Sequence, residues 1–330
     1  MRRWMLVLAG SVIAVALAGC GGNGKEAATT TSDVAVPSGE ILFTRRSAPE
    51  SKHASLFRVA ADGSGLRLFV RDAAEAAVSP DGRRLAFVRG DAIWLMGRDG
   101  SQQKQLTRPP AEIADFEPAW SADGRTIFFT REDDPEGFSV SIYSVRSDGS
   151  ALRHLTESDP DADDQNWSGE VDAAASPKGR IVAFVSYWSS KPDAFSSIHA
   201  MTPTGRPAEL GLSWVFADDY GLMVWDLAWA PDGRRLAFAA SDDFAESVGR
   251  SGIYVSTSDG KERIMRPRRS WGDVREPAWS PDGAWIAFTA RNLNFGGERL
   301  WLVRADGTAL RPLTTGRRAS QPVWLPAASS

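Results

Sequence analysis

Cysteine and histidine are almost absent from this 330-residue chain, which has one of the first and three of the second. With Cys20 alone, no disulfide can form within the chain and the folded part has no thiol chemistry. The histidines His53, His154 and His199 lie far apart in sequence and in different columns of the repeat described below. That spacing disfavours a histidine metal centre or a Ser-His-Asp triad. No Gly-x-Ser-x-Gly elbow occurs, and the repeats leave no stretch for a hydrolase domain. A long apolar run is also missing. Trp4–Leu17 is the one sustained stretch, and a bilayer span takes about 20 residues. Charge is nearly balanced at −4. Removing Arg2 and Arg3 with a leader would take it to −6, which argues against nucleic acid as a partner.

Five segments repeat one pattern: AAVSPDGRRLAFV (Ala76 to Val88), PAWSADGRTIFFT (Pro118 to Thr130), AAASPKGRIVAFV (Ala173 to Val185), LAWAPDGRRLAFA (Leu227 to Ala239) and PAWSPDGAWIAFT (Pro277 to Thr289). Their starts lie between 42 residues (Ala76 to Pro118) and 55 residues (Pro118 to Ala173) apart. A period of that size marks a propeller or a solenoid. Within each copy, Ser-Pro-Asp-Gly has the chemistry of a tight turn. Pro presets φ, Asp tolerates the third position, and Gly takes the left-handed conformation. The run that follows, such as Leu85-Ala86-Phe87-Val88, is apolar on both faces, as a doubly buried strand requires. A second line gives another strand and another Asp-Gly turn, as at Asp148-Gly149 and Asp306-Gly307. A short outer strand follows.

Four strands per repeat predict an all-β fold, a six-bladed β-propeller of four-stranded blades. The first blade lacks its own Ser-Pro-Asp-Gly line, and the missing strand reappears as Gln321 to Pro326. The C-terminal strand is therefore expected to join blade one and close the ring, which removes an exposed edge. The lines resemble the repeats of TolB-type six-bladed propellers, P-x-W-S-P-D-G-x-x-I-A-F followed by I-Y-x-x-x-x-D-G. The resemblance covers residues 39–326. It implies the fold and leaves the activity open, because propellers host unrelated functions. The additional N-terminal α/β domain of TolB has no counterpart here, so its role in the Tol system does not carry over.

Arg2 and Arg3 followed by Trp4–Leu17 read as a secretory signal over residues 1–19. Leu17-Ala18-Gly19-Cys20 resembles the lipobox of bacterial lipoproteins, which implies cleavage before Cys20 and acylation of its sulfur. Residues 20–38 are small and polar and read as a flexible tether, while 327–330 form a tail. The expected location is the extracytoplasmic side of a cell membrane, lipid-anchored, with the propeller monomeric.

Tight turns follow the first and third strands of every repeat, so the long loops gather at the opposite end, where binding usually resides. Acidic residues from Glu132 to Asp134 and from Asp159 to Asp164 lie on one side of that end, and arginines including Arg45, Arg46 and Arg318 on the other. Candidate binding-face residues are Trp167, Trp188, Trp214, Tyr220, Arg268, Arg269, Trp271 and Arg275, because exposed aromatics and arginines anchor interfaces. The run from Asp159 to Asn166 alternates carboxylates like a calcium loop but lacks the glycine and distal glutamate of an EF-hand.

At the start of each innermost strand, beside the central channel, the aligned position holds Glu75, Glu117, Asp172, Asp226, Glu276 and Gln321. Two readings are open. The ring holds a divalent ion such as Ca2+, or each carboxylate bonds the backbone of the neighbouring blade. His199 falls in the aromatic column with Phe57, Trp94, Tyr143, Tyr254 and Trp301, so a core position is expected for it. The chain reads as a binding or scaffold module for an envelope protein or a cell-wall polymer, with no cofactor expected. The alternative is a propeller enzyme, a carbohydrate or lactone lyase or hydrolase that uses the channel carboxylates and a divalent ion.

Overall fold

The computed structural model describes residues 37–48, 53–157, 166–190, 193–211, 223–241, 251–257, 260–265, 271–292, 297–316 and 318–326. Among these there are 23 strands and no helix. The first sheet holds β1 (Glu40–Arg46), β2 (Ala54–Ala60) and β3 (Arg67–Arg71), and the second β4 (Ala74–Val78), β5 (Arg84–Arg89), β6 (Ala92–Gly97) and β7 (Lys104–Gln105). A larger sheet combines β8 (Asp115–Trp120), β9 (Thr126–Glu132), β10 (Ser139–Arg146) and β11 (Arg153–His154) with β12 (Asn166–Ala175), β13 (Val182–Ser190) and β14 (Asp193–Met201). Then come β15 (Met223–Trp229), β16 (Leu236–Ser241), β17 (Ser251–Thr257) and β18 (Gly260–Met265). The last full sheet is β19 (Trp271–Trp279), β20 (Trp285–Asn292), β21 (Glu298–Arg304) and β22 (Arg311–Pro312). Finally β23 (Ala319–Leu325) returns to pair with β1, giving the order β23-β1-β2-β3.

The repeats predict six four-stranded blades; among the described residues the strands pair into four four-stranded sheets and one of seven strands. The merger occurs at a short parallel contact between β10 and β12, Ser139 with Ser168 and Val140 with Gly169. Gly169 permits it. A Cβ there would sit 2.4 Å from Val140 Cγ2 and 2.6 Å from the Val140 carbonyl oxygen. After β14, a single bridge between Met201 and Pro207 stands in place of a fourth strand. Pro207 has no N–H to extend the ladder.

The turns behave as their residues dictate. In the β4–β5 turn, Asp81 Oδ1 accepts from Ser79 Oγ at 2.6 Å and from the Arg83 N–H at 3.0 Å. The Arg84 N–H donates to Ser79 Oγ at 2.9 Å, and Gly82 sits at φ +69°. Ser121 and Asp123, and Ser280 and Asp282, repeat the arrangement.

Sheets pack face to face through repeated positions. A phenylalanine on each second strand lies opposite an aromatic on the third: Phe43 and Phe57, Phe87 and Trp94, Phe129 and Tyr143, Phe238 and Tyr254, Phe288 and Trp301. Those five phenylalanines are fully buried, worth about 2–3 kcal/mol each in apolar area removed from water. In the same column Phe184 faces His199, and here the expectation fails. His199 is stacked on Phe184 at 5.8 Å, but it is exposed rather than core. It bonds Ser197 Oγ at 2.8 Å, so its polar edge is satisfied from outside the core.

A tryptophan near the end of the inner strand, after alanine in three repeats and after Val323 in the C-terminal one, ties neighbouring repeats together. The indole N–H groups of Trp120, Trp229, Trp279 and Trp324 donate to the carbonyls of Ala77, Ala174, Ala228 and Ala278 at 3.0–3.2 Å.

Candidate functional site

The six aligned polar residues form a continuous chain around the inner strands. All of them, Glu75, Glu117, Asp172, Asp226, Glu276 and Gln321, adopt left-handed φ between +53° and +58°. Each sits at a register shift where its strand bulges away from its partner. The bulge aims one backbone N–H at the preceding repeat, whose carboxylate accepts it. Glu75 accepts from the Glu117 N–H at 2.8 Å, and Glu117 from Asp172 at 3.1 Å. Asp172 accepts from Asp226 at 2.9 Å, Asp226 from Glu276 at 3.0 Å, and Glu276 from Gln321. Thr130 and Thr289 hydroxyls add bonds to Glu117 at 3.0 Å and Glu276 at 2.6 Å.

The sixth link differs. The Glu75 N–H donates to Thr44 Oγ1 at 3.0 Å, while Gln321 Oε1 is buried with no hydrogen-bond partner.

Glu75 is buried, and Glu117, Asp172, Asp226 and Glu276 are partly buried. Burial, with the charge of Asp226 adding to it, pushes Asp172 up to about 7 and Glu276 up to about 8. Burial also holds Glu117 well above its ordinary value, with Asp172 and Glu75 adding repulsion. Asp226 is raised by burial and partly relieved by Arg275. Among the described residues, no three His, Cys, Asp or Glu side chains come together in a way that could hold a metal ion.

Arg275, read from sequence as a loop residue, lies within β19 next to Glu276. Its guanidinium sits 5.2 Å from the Trp225 ring. Burial disfavours its charge, and the carboxylates of Asp226, Asp273, Glu276 and Asp172 outweigh that and hold its pKa high. It belongs to the ring's electrostatics. Trp188, on β13, is 42% exposed. Trp167 and Trp271 lie in β12 and β19 by their backbones, paired with Ser189 and Asn292. Cys20, Trp214, Tyr220, Arg268 and Arg269 lie outside the described residues, as does the acidic run apart from Asn166.

The acidic residues of the 132–134 loop bond their own surroundings. Glu132 accepts from the Ala114 N–H at 2.7 Å, and Asp134 accepts from the Phe138 and Ser139 N–H groups at 3.1 and 2.7 Å. Asp133 accepts from the Ser141 hydroxyl at 2.5 Å and the Tyr143 hydroxyl at 3.2 Å. These carboxylates organise their own loop. Sequence reasoning missed a buried pair nearby. Asp115 and Arg131 face each other across β8 and β9 in a two-pronged contact of 2.5 and 2.9 Å. The repeat alignment held a signal for it, because Asp115 stands two residues before Glu117.

The chain matches no family model. It is 26% identical over 223 residues to an uncharacterized peptidase, YuxL, of Bacillus subtilis, covering 64% of this chain and 28% of that protein. The chain thus spans less than a third of that relative's length. A putative TolB from Agrobacterium tumefaciens superposes with a TM-score of 0.58 at 18% identity, covering 84% of this chain and 88% of the other. The β-propeller domain of the Trilobed protease from Pyrococcus furiosus gives 0.53 at 10% identity, over 84% and 95%. An oligogalacturonate lyase from Vibrio parahaemolyticus gives 0.51 at 11%, over 83% and 79%. Identities this low speak for the fold alone, and that fold is a TolB-like β-propeller.

Proposed function

We propose that this chain is a six-bladed, lipid-anchored extracytoplasmic propeller that works as a binding module. Its long-loop end takes an envelope protein or a cell-wall polymer, and Cys20 carries the anchor. Six ring positions on six successive innermost strands support a count of six blades, with β12 to β14 as the fourth. The place of β23 at the head of the first sheet supports closure of the ring by the C-terminal strand.

One observation carries the choice of binding over catalysis. Each of the five ring carboxylates already accepts a neighbour's backbone N–H. A donor set committed to joining blades is a girdle, and a buried N–H stripped of its acceptor costs about 1–3 kcal/mol. The test uses the full chain carrying Arg268→Glu and Arg269→Glu. Binding to a washed envelope fraction should fall while the melting temperature holds. Unchanged binding overturns the reading. Replacing Cys20 with Ser should move the protein from the membrane to the soluble fraction, and retention would refute the anchor.

A second reading is an enzyme that works through the channel. The raised carboxylates of Asp172 and Glu276 favour it, since a carboxylic acid that titrates near neutrality can serve as a general acid. The neighbours named above include a lyase and proteases, each far from this chain in sequence. Turnover of an oligosaccharide or lactone, lost in Asp172→Asn, would establish this reading over the first.

A further inference from the structure

Two residues before each ring position, the inner strand faces the second strand of its own repeat across a fixed pair. The pairs are Asp115 with Arg131, Glu170 with Ser186, Val224 with Ala240, and Val274 with Ala290. Charge meets charge, polar meets polar, and apolar meets apolar. In the first sheet the same pair is Ala319 with Arg45. Arg45 is equivalent to Arg131, and Ala319 stands where Asp115 would be.

Arg89, the third arginine of this column, finds other acceptors: the carbonyls of Asp72 at 2.9 Å and Arg71 at 3.3 Å, and Gln103 Oε1 at 2.8 Å. Arg45 has no ion pair among the described residues. Its guanidinium lies 5.4 Å from the Phe57 ring, as Arg131 lies 4.9 Å from the equivalent Tyr143 ring.

In place of an internal carboxylate, the Arg45 guanidinium has Gly316 close on one side and a cavity beside it. That cavity, of about 730 Å³, is lined also by Arg71, Arg318, Phe57 and Leu68. Among the described residues, four arginines border this cavity against one aspartate, Asp72, and that aspartate lies 3.6 Å from His53. Leu68, 38% exposed, extends the apolar wall beside Phe57 on the same face of the sheet.

We propose that this cavity is a binding site for a carboxylate with an apolar body, whose carboxylate takes on Arg45 the place that Asp115 takes on Arg131. A planar guanidinium held flat by an aromatic ring presents two parallel N–H groups, and a carboxylate fits that fork better than a phosphate monoanion or a halide does. Arg71 and Arg318 at the rim supply long-range attraction, and Phe57 and Leu68 take the apolar part. The cavity opens at the long-loop end, so its relevance to partner capture rests on the binding-module reading, although the site itself does not.

Titration calorimetry on the full chain tests this with three probes: N-acetyl-leucine, acetate and inorganic phosphate. N-acetyl-leucine should bind tightest, acetate more weakly, and phosphate least. Arg45→Gln should weaken N-acetyl-leucine by about tenfold, the loss of one charge-assisted contact. Ala319→Asp should abolish binding, because it rebuilds the Asp115 pair inside the chain. Ala319 is buried, so if that variant does not fold, Arg45→Gln and the exposed Arg71→Gln carry the test. Absence of binding by N-acetyl-leucine, a preference for phosphate, or unchanged affinity in Arg45→Gln overturns the assignment. Loss of envelope binding in the Arg268 and Arg269 variant with a silent calorimeter would refute the site and leave the binding module standing. The converse pattern would refute the module and keep the site.

Discussion

The carboxylate of Asp172 accepts the backbone N–H of Asp226 at 2.9 Å, and the two residues share a left-handed φ near +57°. The relationship is one link of five and explains why an acidic residue sits at a strained bulge in successive repeats. The bulge exposes an N–H that the sheet ladder cannot satisfy, and the acid from the preceding repeat satisfies it.

This ring makes stability depend on pH. Unfolded, Asp172 and Glu276 ionise near 3.8 and 4.5, whereas folded they titrate near 7 and 8. Between those limits the folded chain holds more protons than the unfolded one. Their stabilising contribution is full at acid pH below the unfolded values and is lost as pH rises to about 8. The melting temperature should fall by about 5 °C between pH 5 and pH 8. Asp172→Asn with Glu276→Gln should flatten that slope, as asparagine tolerates the left-handed φ. A slope of opposite sign in wild type would refute the arrangement.

Thr44 closes the girdle where Gln321 does not. Removing its hydroxyl with Thr44→Val leaves the buried Glu75 N–H without an acceptor and should cost about 1–3 kcal/mol in denaturant unfolding. Thr44→Ser should keep most of that stability, because the hydroxyl remains.

Asp115 is fully buried and Arg131 nearly so, which makes their pair costly to break on one side. Asp115→Ala should lose about 3–5 kcal/mol by stranding the guanidinium. Asp115→Ala with Arg131→Leu should recover part of that loss. A double variant no better than the single would mean that packing, and not the stranded charge, sets the cost.

Gly169 joins the third and fourth repeats by close approach to Val140. Gly169→Ala places a Cβ against Val140 Cγ2 and against the Val140 backbone, which cannot yield, and should cost about 1–3 kcal/mol. Amide exchange at Val140 and Ser168 should accelerate more than exchange in β20, which lies far from the contact.

The turns were legible because their chemistry is local. Ser79, Asp81 and Gly82 build the β4–β5 turn from atoms within five residues, so spacing and residue type suffice to read it. The ring positions were legible for the same reason, as a column in register. Their role stood in the sequence as two open readings, and the structure chose the bond to the neighbouring repeat's backbone, which depends on an N–H some 42 to 55 residues away.

What the sequence by itself determined is the all-β repeat, its turns, its aromatic column and the strand borrowed from the C-terminus, all consequences of periodicity and residue type. The tertiary structure decided the rest. It fused two repeats at Gly169, set Arg275 within the electrostatic reach of Asp226, set His199 outside the core, and left Arg45 facing Ala319 and an open cavity. Each of these follows from how closely segments distant in sequence approach one another, and a pattern read along one strand does not carry that distance.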